Sequence, residues 1–116
     1  MITLPIVEEE VVQLTALGTN DYLDGKRIIK QEVWEVIWVC VYDATNDVTT
    51  IFVGPYNGAT HFKVAAKTPT AAYDALSIQG PIYIKPTQNL RAHIVGATAS
   101  DDLYMYYQFI RHYLEE

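Results

Sequence analysis

Seven consecutive apolar residues, Val36-Ile37-Trp38-Val39-Cys40-Val41-Tyr42, constrain this chain more than any other feature. Four of the seven are valine or isoleucine, whose branched side chains are stiff at the first torsion and suit a pleated strand better than a helix. The run falls short of the roughly 18 apolar residues that a membrane helix needs. It closes a segment, residues 27–43, in which Trp34, Val36, Trp38, Cys40 and Tyr42 share one strand face, while Val33, Glu35, Ile37, Val39 and Val41 share the other. The second face begins polar and turns apolar, so the later half is predicted to be buried on both sides. The segment exceeds normal strand length, which predicts a bend or bulge near residues 30–32.

The same bias runs through the whole chain. Eleven valines, eleven isoleucines and eleven threonines make 33 β-branched residues in 116, and nine tyrosines push the same way. The glycines and prolines fall mostly between apolar runs, the punctuation of short strands. Strands are predicted at 11–17, 27–43, 48–53, 60–66, 82–85, 90–95 and 103–113, with 18–25 as a loop. Residues 44–47 and 86–89 each read as the turn of an antiparallel hairpin. Residues 68–77 fit either a short helix opened by Thr68-Pro69 or irregular chain. The last segment also fits a helix, with Leu103, Tyr106, Ile110 and Tyr113 at helical spacing, but its aromatic density favours a strand. Seven or eight short strands separated by turns predict an all-β protein, an antiparallel β-sandwich of jelly-roll type. Residues 11–116 form its single domain. Residues 1–10 are an N-terminal arm, where Ile2, Leu4 and Ile6 alternate around Pro5 and Glu8-Glu9-Glu10 is a solvated acidic run.

Composition narrows function by exclusion. A net charge of −6 and 50% hydrophobic residues argue against a disordered chain and against a phosphate-backbone binder. Lys26, Arg27 and Lys30 form the only local basic cluster, flanked by acids. A single cysteine, Cys40, allows no intrachain disulfide, and its apolar setting predicts an inert thiol. The first seven residues lack the charged start and long apolar stretch of a signal peptide, so synthesis in the cytosol is expected, with no membrane partner. Only 19% of residues are charged, which leaves apolar surface for a partner to cover.

Reactive groups are sparse. His61, His93 and His112 lie on three separate predicted strands without a metal-ligand spacing, although a cupin-like jelly roll could bring His61 and His93 together. Asp101 and Asp102 point opposite ways if extended, and suit capping of turn donors better than acid–base work. No G-x-S-x-G, G-x-G-x-x-G or P-loop occurs. The expectation is therefore no enzyme, no metal and no cofactor. Trp34 and Trp38 share one predicted strand face, and Tyr104 and Tyr106 form a second stripe opposite Met105, Tyr107 and Phe109. Such aromatics serve either as core or as anchors for a protein or sugar contact.

The stretch Gly80-Pro81-Ile82-Tyr83-Ile84-Lys85-Pro86-Thr87-Gln88-Asn89-Leu90-Arg91-Ala92, followed by Asp102-Leu103-Tyr104-Met105-Tyr106, resembles the final hairpin of small jelly-roll cement or decoration proteins on tailed-phage capsids. That resemblance implies a virion protein on the outer capsid surface, made in the host cytoplasm. Its partners would be the capsid protein and further copies of itself. It also implies an arm that adds a strand to a neighbour. On this reading Ile2, Leu4, Ile6, Trp34, Trp38, Tyr104 and Tyr106 are the expected protein interface. The alternatives are another head–tail or tail module, and a carbohydrate-binding β-sandwich that stacks sugars on Trp34, Trp38 or Tyr104.

Overall fold

The computed structural model describes residues 6–114. Among the described residues eight strands make the fold: β1 (Glu8–Thr15), β2 (Asn20–Asp24), β3 (Glu32–Asp43), β4 (Thr50–Tyr56), β5 (Ala65–Lys67), β6 (Leu76–Ile84), β7 (Asn89–Val95) and β8 (Asp102–Tyr113). They pair in two four-stranded sheets, ordered β1-β8-β3-β6 and β2-β7-β4-β5. Every pairing is antiparallel. Each connection but β4–β5 passes from one sheet to the other, which is the jelly-roll arrangement that the strand spacing predicts.

The core lies between the sheets. One sheet contributes Trp34, Val36, Val39, Val41, Leu103, Met105, Tyr107 and Phe109, and the other Leu23, Ile51, Val53, Leu90, Ala92 and Ile94. Apart from one break in β3, their alternation along the strands is the period of two that pleating demands. Tyr107 is wholly buried beside Gly25, where a Cβ would fall on its phenol oxygen.

The bulge within β3 decides what this protein shows to solvent. Val36 faces Phe109 of β8, and Trp38 faces the next residue, Gln108, so Ile37 has no partner across the ladder. On the other side the register passes from Val36–Ile82 to Trp38–Gln79, and Gly80 and Pro81 absorb the slack. Gly80 is needed there, because a Cβ would land on the carbonyl oxygen of Val36. An inserted residue reverses the facing of all that follows. Trp34 and Val36 point into the core, but beyond Ile37 it is Val39, Val41 and Asp43 that are buried. Trp38, Cys40 and Tyr42 turn outward. The expected common face of Trp34 through Tyr42 is thus split in two, and the bulge sits at Ile37 rather than near residues 30–32.

Other expectations change as well. The 43/48 and 82/90 hairpins do not form, since β3 and β6 lie in one sheet while β4 and β7 lie in the other. The turn residues fit either outcome, and the burial of both partners favours crossing. Residues 20–24, read as loop, are strand β2, because Leu23 is drawn into the core opposite Ala92. The strand expected at 60–66 shortens to β5, with an isolated bridge from Tyr56 to His61. No helix forms within 68–77, and the last segment is strand throughout. Strand β1 begins at Glu8, so the acidic run belongs to the sheet and not to an arm. Each glutamate has a partner there: Glu8 pairs with Arg111 at 2.7 Å, Glu9 accepts from the Tyr106 hydroxyl, and Glu10 accepts from the Lys26 amide at 3.0 Å.

Candidate functional site

The outer face of the β1-β8-β3-β6 sheet carries the densest set of accessible chemistry among the described residues. Register fixes its rows. Tyr42 stands beside Tyr104 and Gln13, Cys40 beside Ser77, Tyr106 and Val11, and Trp38 beside Gln79, Gln108 and Glu9. Aromatic rings thus occupy the middle strands, with amides, hydroxyls and carboxylates around them.

The rings form two groups. Tyr42 lies between Tyr104 and Tyr73, with centroids 5.3 and 5.6 Å away and planes inclined by 25° and 28°. Trp38 meets Tyr106 edge-on at 5.3 Å. Offset and edge-to-face contacts like these are the favoured aromatic geometries, so the rings hold one another in place. Polar contacts fix them further. The Trp38 indole N–H donates to Ser77 Oγ at 2.9 Å, and Gln108 Nε2 donates to the Tyr106 hydroxyl at 3.1 Å. Tyr73 comes from the β5–β6 connection, and its amide donates to the Asp43 carbonyl at 2.8 Å. Its φ is +63°, in the left-handed region that a tyrosine rarely adopts. Such strain of about 1–3 kcal/mol clusters at functional sites. Here it places an exposed ring on the end of the Tyr42–Tyr104 ladder.

The electrostatics of the face follow from its neighbours. Burial, then the crowding of Cys40, Tyr104 and Tyr73, pushes the Tyr42 phenol above its ordinary range. The Tyr106 phenol is raised by its hydrogen bond to Glu9. Burial raises the Cys40 thiol. All three therefore stay protonated at neutral pH, and the two phenols keep their donors. With Glu9 and Asp102 at the margin, the face presents neutral donors and acceptors over an acidic rim.

At the bottom corner of this face the chain is held by a buried acid pair. Asp43 Oδ1 accepts from the amides of Thr45 and Asn46 at 2.7 and 3.0 Å. Asp101 accepts from Asn46 Nδ2 at 2.7 Å and from the Thr98 amide at 3.1 Å, the turn-capping role its sequence predicts. Burial, then hydrogen bonding to Asp101, pushes the Asp43 carboxyl up to about 6. Asp43 Oδ2 has no other donor, so it is satisfied only when a proton lies between the two carboxyls.

The opposite sheet has an outer face too, but its groups satisfy one another. Arg91 binds Asp24 through Nε and Nη2 at 2.7 and 3.0 Å and lies over the rings of Tyr56 and Tyr22. His93 stacks on Tyr22 at 4.5 Å and reaches Asn20 Oδ1 at 2.9 Å. His61 Nε2 is 3.0 Å from the Arg91 carbonyl oxygen. The histidines that could have shared an ion are engaged separately, and among the described residues no group of three or more His, Cys, Asp or Glu is placed to hold a metal. His112 pairs with Glu35 at 2.8 Å.

Of the expected interface residues, the structure brings together Trp38, Tyr104 and Tyr106. Trp34 is a correction: it is only 4% exposed, stacked on Phe109 at 4.3 Å and covered by Arg111, because it precedes the bulge. Ile6 is exposed, and Ile2 and Leu4 lie outside the described residues. Cys40 is another correction, half-buried on the outer face rather than sunk in the core. Sequence reasoning missed Tyr42, Tyr73, Gln79 and Gln108 as a set. The signal available for Gln108 was its alternation with buried Tyr107 and Phe109, and nothing as clear marked Gln79 or Tyr73.

Comparison with known proteins adds the following. No protein-family model matches the sequence, and no curated protein matches it. Among solved structures, the chain is similar to CBM86, a low-affinity xylan-binding module from Roseburia intestinalis, with 13% identity over 92% of this chain and 96% of that one, at a TM-score of 0.46. It is also similar to the N-terminal cellulose-binding domain of Cellulomonas fimi β-1,4-glucanase C, with 14% identity over 88% and 73% of the two chains, at a TM-score of 0.37.

Proposed function

We propose that this domain binds a neutral carbohydrate chain on the outer face of the β1-β8-β3-β6 sheet. The observation that carries the reading is the row of Tyr73, Tyr42 and Tyr104 beside Trp38 and Tyr106, interleaved with Gln13, Gln79, Gln108 and Ser77. A sugar ring has an apolar C–H face and a polar hydroxyl edge. It is met by aromatic surface below and by side chains that can both donate and accept at the sides. A sheet surface is open along its strands, so the interaction suits a chain lying across it rather than a single enclosed sugar. The acidic rim disfavours a polyanionic glycan by like-charge repulsion.

Cys40 supplies the test. It sits in the middle of the face, between Tyr106 and Ser77 in register. With soluble xylan or hydroxyethylcellulose bound, alkylation of Cys40 by iodoacetamide slows at least fivefold, while the rate in an anionic glycan such as polygalacturonate matches that of free protein. An unchanged rate at saturating concentrations of every neutral glycan tried defeats the proposal.

A second reading, an oligomeric component such as a virion protein, draws its oligomeric part from a different observation. Ile6, Val7 and Val11 expose apolar side chains at 77, 50 and 60% on and beside β1, which ends its sheet. Such an edge is where a second copy or a capsid neighbour could add a strand. Light scattering checks it: a discrete oligomer that dissociates in Val11→Asp supports the reading, and a monomer at 100-fold varied concentration counts against it.

A further inference from the structure

Four of the eight cationic side chains gather at one end of the sandwich, away from the tyrosine ladder. Lys26, Arg27 and Lys30 ride on the connection between β2 and β3, and Arg111 stands on β8. Together they border a cleft of about 190 Å³ that also reaches Glu32 and Trp34. The basic cluster visible in the sequence is therefore the rim of a cavity.

The backbone that carries it is fixed. The Gly25 amide donates to the Leu90 carbonyl at 2.8 Å, the Ile28 amide to Gln88 at 2.9 Å, and Thr87 returns a bond to the Ile28 carbonyl at 2.8 Å. Ile28 is buried in the core between the lysines. Cations displayed from an anchored loop lose little backbone freedom on binding. Lys26, Arg27 and Lys30 make no ion pair with an acid among the described residues.

Glu32 gives the cleft its second feature. It is 3% exposed. Its Oε1 accepts from the Trp34 indole at 2.9 Å and from Arg111 Nη1 at 3.3 Å, while its Oε2 is buried without a donor. Buried polar atoms are nearly always paired, because an unmet one forfeits its hydration. Arg111 is held by Glu8 and Glu32 and lies over Trp34, so it positions the carboxylate and leaves the three loop cations for a ligand.

The geometry points to a second binding site, for a single uronic-acid-type sugar: a carboxylate held by Lys26, Arg27 and Lys30, and a ring hydroxyl donating to Glu32 Oε2. The volume is below the roughly 300–1,000 Å³ of pockets for larger ligands, which suits one ring. The charge is opposite to that of the tyrosine face, so the two sites select different ligands. This inference does not rest on the sheet-face reading.

The test is a titration of the full ¹⁵N-labelled chain with glucuronate, glucose and inorganic phosphate. Glucuronate is expected to shift the amides of residues 26–34 saturably, with glucose and phosphate each at least tenfold weaker. The exposed pair Lys26→Ala/Lys30→Ala, whose unchanged spectrum elsewhere shows an intact fold, is expected to lose tenfold or more in glucuronate affinity. Glu32→Gln reports on the hydroxyl contact by narrowing the gap between glucuronate and phosphate. Equal binding of glucose, or undiminished binding by the lysine pair variant, overturns the anion recognition. Equal binding of phosphate overturns the hydroxyl contact and with it the sugar assignment. Shifts confined to the tyrosine face overturn the second site while leaving the first untouched.

Discussion

Tyr104→Ala is expected to weaken glycan binding about 30-fold while leaving the sandwich folded. Tyr104 occupies the junction of the face, stacked on Tyr42 and paired in register with Gln13. Its removal deletes one ring and loosens a second, because Tyr42 then has Tyr73 on one side only. Central aromatic anchors typically contribute 2 kcal/mol or more to binding, a loss of about 30-fold in affinity. Stability should change little, since the side chain is on the solvent side of β8 while Leu103 and Met105 hold the core. Affinity electrophoresis in xylan or hydroxyethylcellulose gels measures the first, and urea unfolding the second. Phe at the same position separates stacking from hydrogen bonding. It is expected to retain most binding if the ring face dominates. If Tyr104→Ala migrates as wild type in every gel that retards wild type, the ladder is not the site.

The second large effect concerns the acid pair beneath that face. Asp43 titrates at about 6 in the folded chain, against about 3.9 when unfolded. The folded state therefore holds the proton more tightly. Its stabilisation is complete below pH 4 and is lost as pH rises from about 4 to about 6, on the order of 2–3 kcal/mol for this group. Asp101 acts in the other sense and at lower pH: its hydrogen bonds with Asp43 and Asn46 overcome the effect of burial and hold it low, so its contribution is lost as pH falls. His61 and His93, both lowered chiefly by burial, favour the folded state as pH rises toward the ordinary imidazole range. The readout is accordingly a difference between proteins. Asp43→Asn keeps the acceptor for Thr45 and Asn46 and offers Asp101 a permanent donor. Urea unfolding should show the variant more stable than wild type at pH 7 by about 1–3 kcal/mol. The gap should close by pH 4. A gap that is constant with pH would show that the carboxyls do not share a proton.

Much of this architecture was legible from residues alone, because pleating imposes a period of two and the chain obeys it. Leu103, Met105, Tyr107 and Phe109 alternate with Tyr104, Tyr106 and Gln108, and the buried set is the apolar one. Strand β7 shows the same logic, with Leu90, Ala92 and Ile94 inward. The hairpins expected at 44–47 and 86–89 were not legible as sheet crossings. A turn sequence reports where the chain reverses and says nothing about which sheet receives the next strand.

The candidate site was readable in part. Trp38, Tyr104 and Tyr106 were singled out by residue type, which is local information. Trp34 was misplaced with them because one unpaired residue, Ile37, reverses every side chain that follows. Tyr73 came from a connection with no periodic signal and is placed by one hydrogen bond to Asp43. The Glu32 cleft likewise needed distant elements to meet, since Arg111 is unrelated to the Lys26–Lys30 cluster until β3 and β8 pair.

By itself the order of amino acids determined that the chain is extended, antiparallel and two-layered, since branched and aromatic residues at alternate positions can hide their surface in no cheaper way. The tertiary structure alone decided which rings reach water. That choice depends on register between strands distant in sequence, and a shift of a single residue exchanges the inner face for the outer.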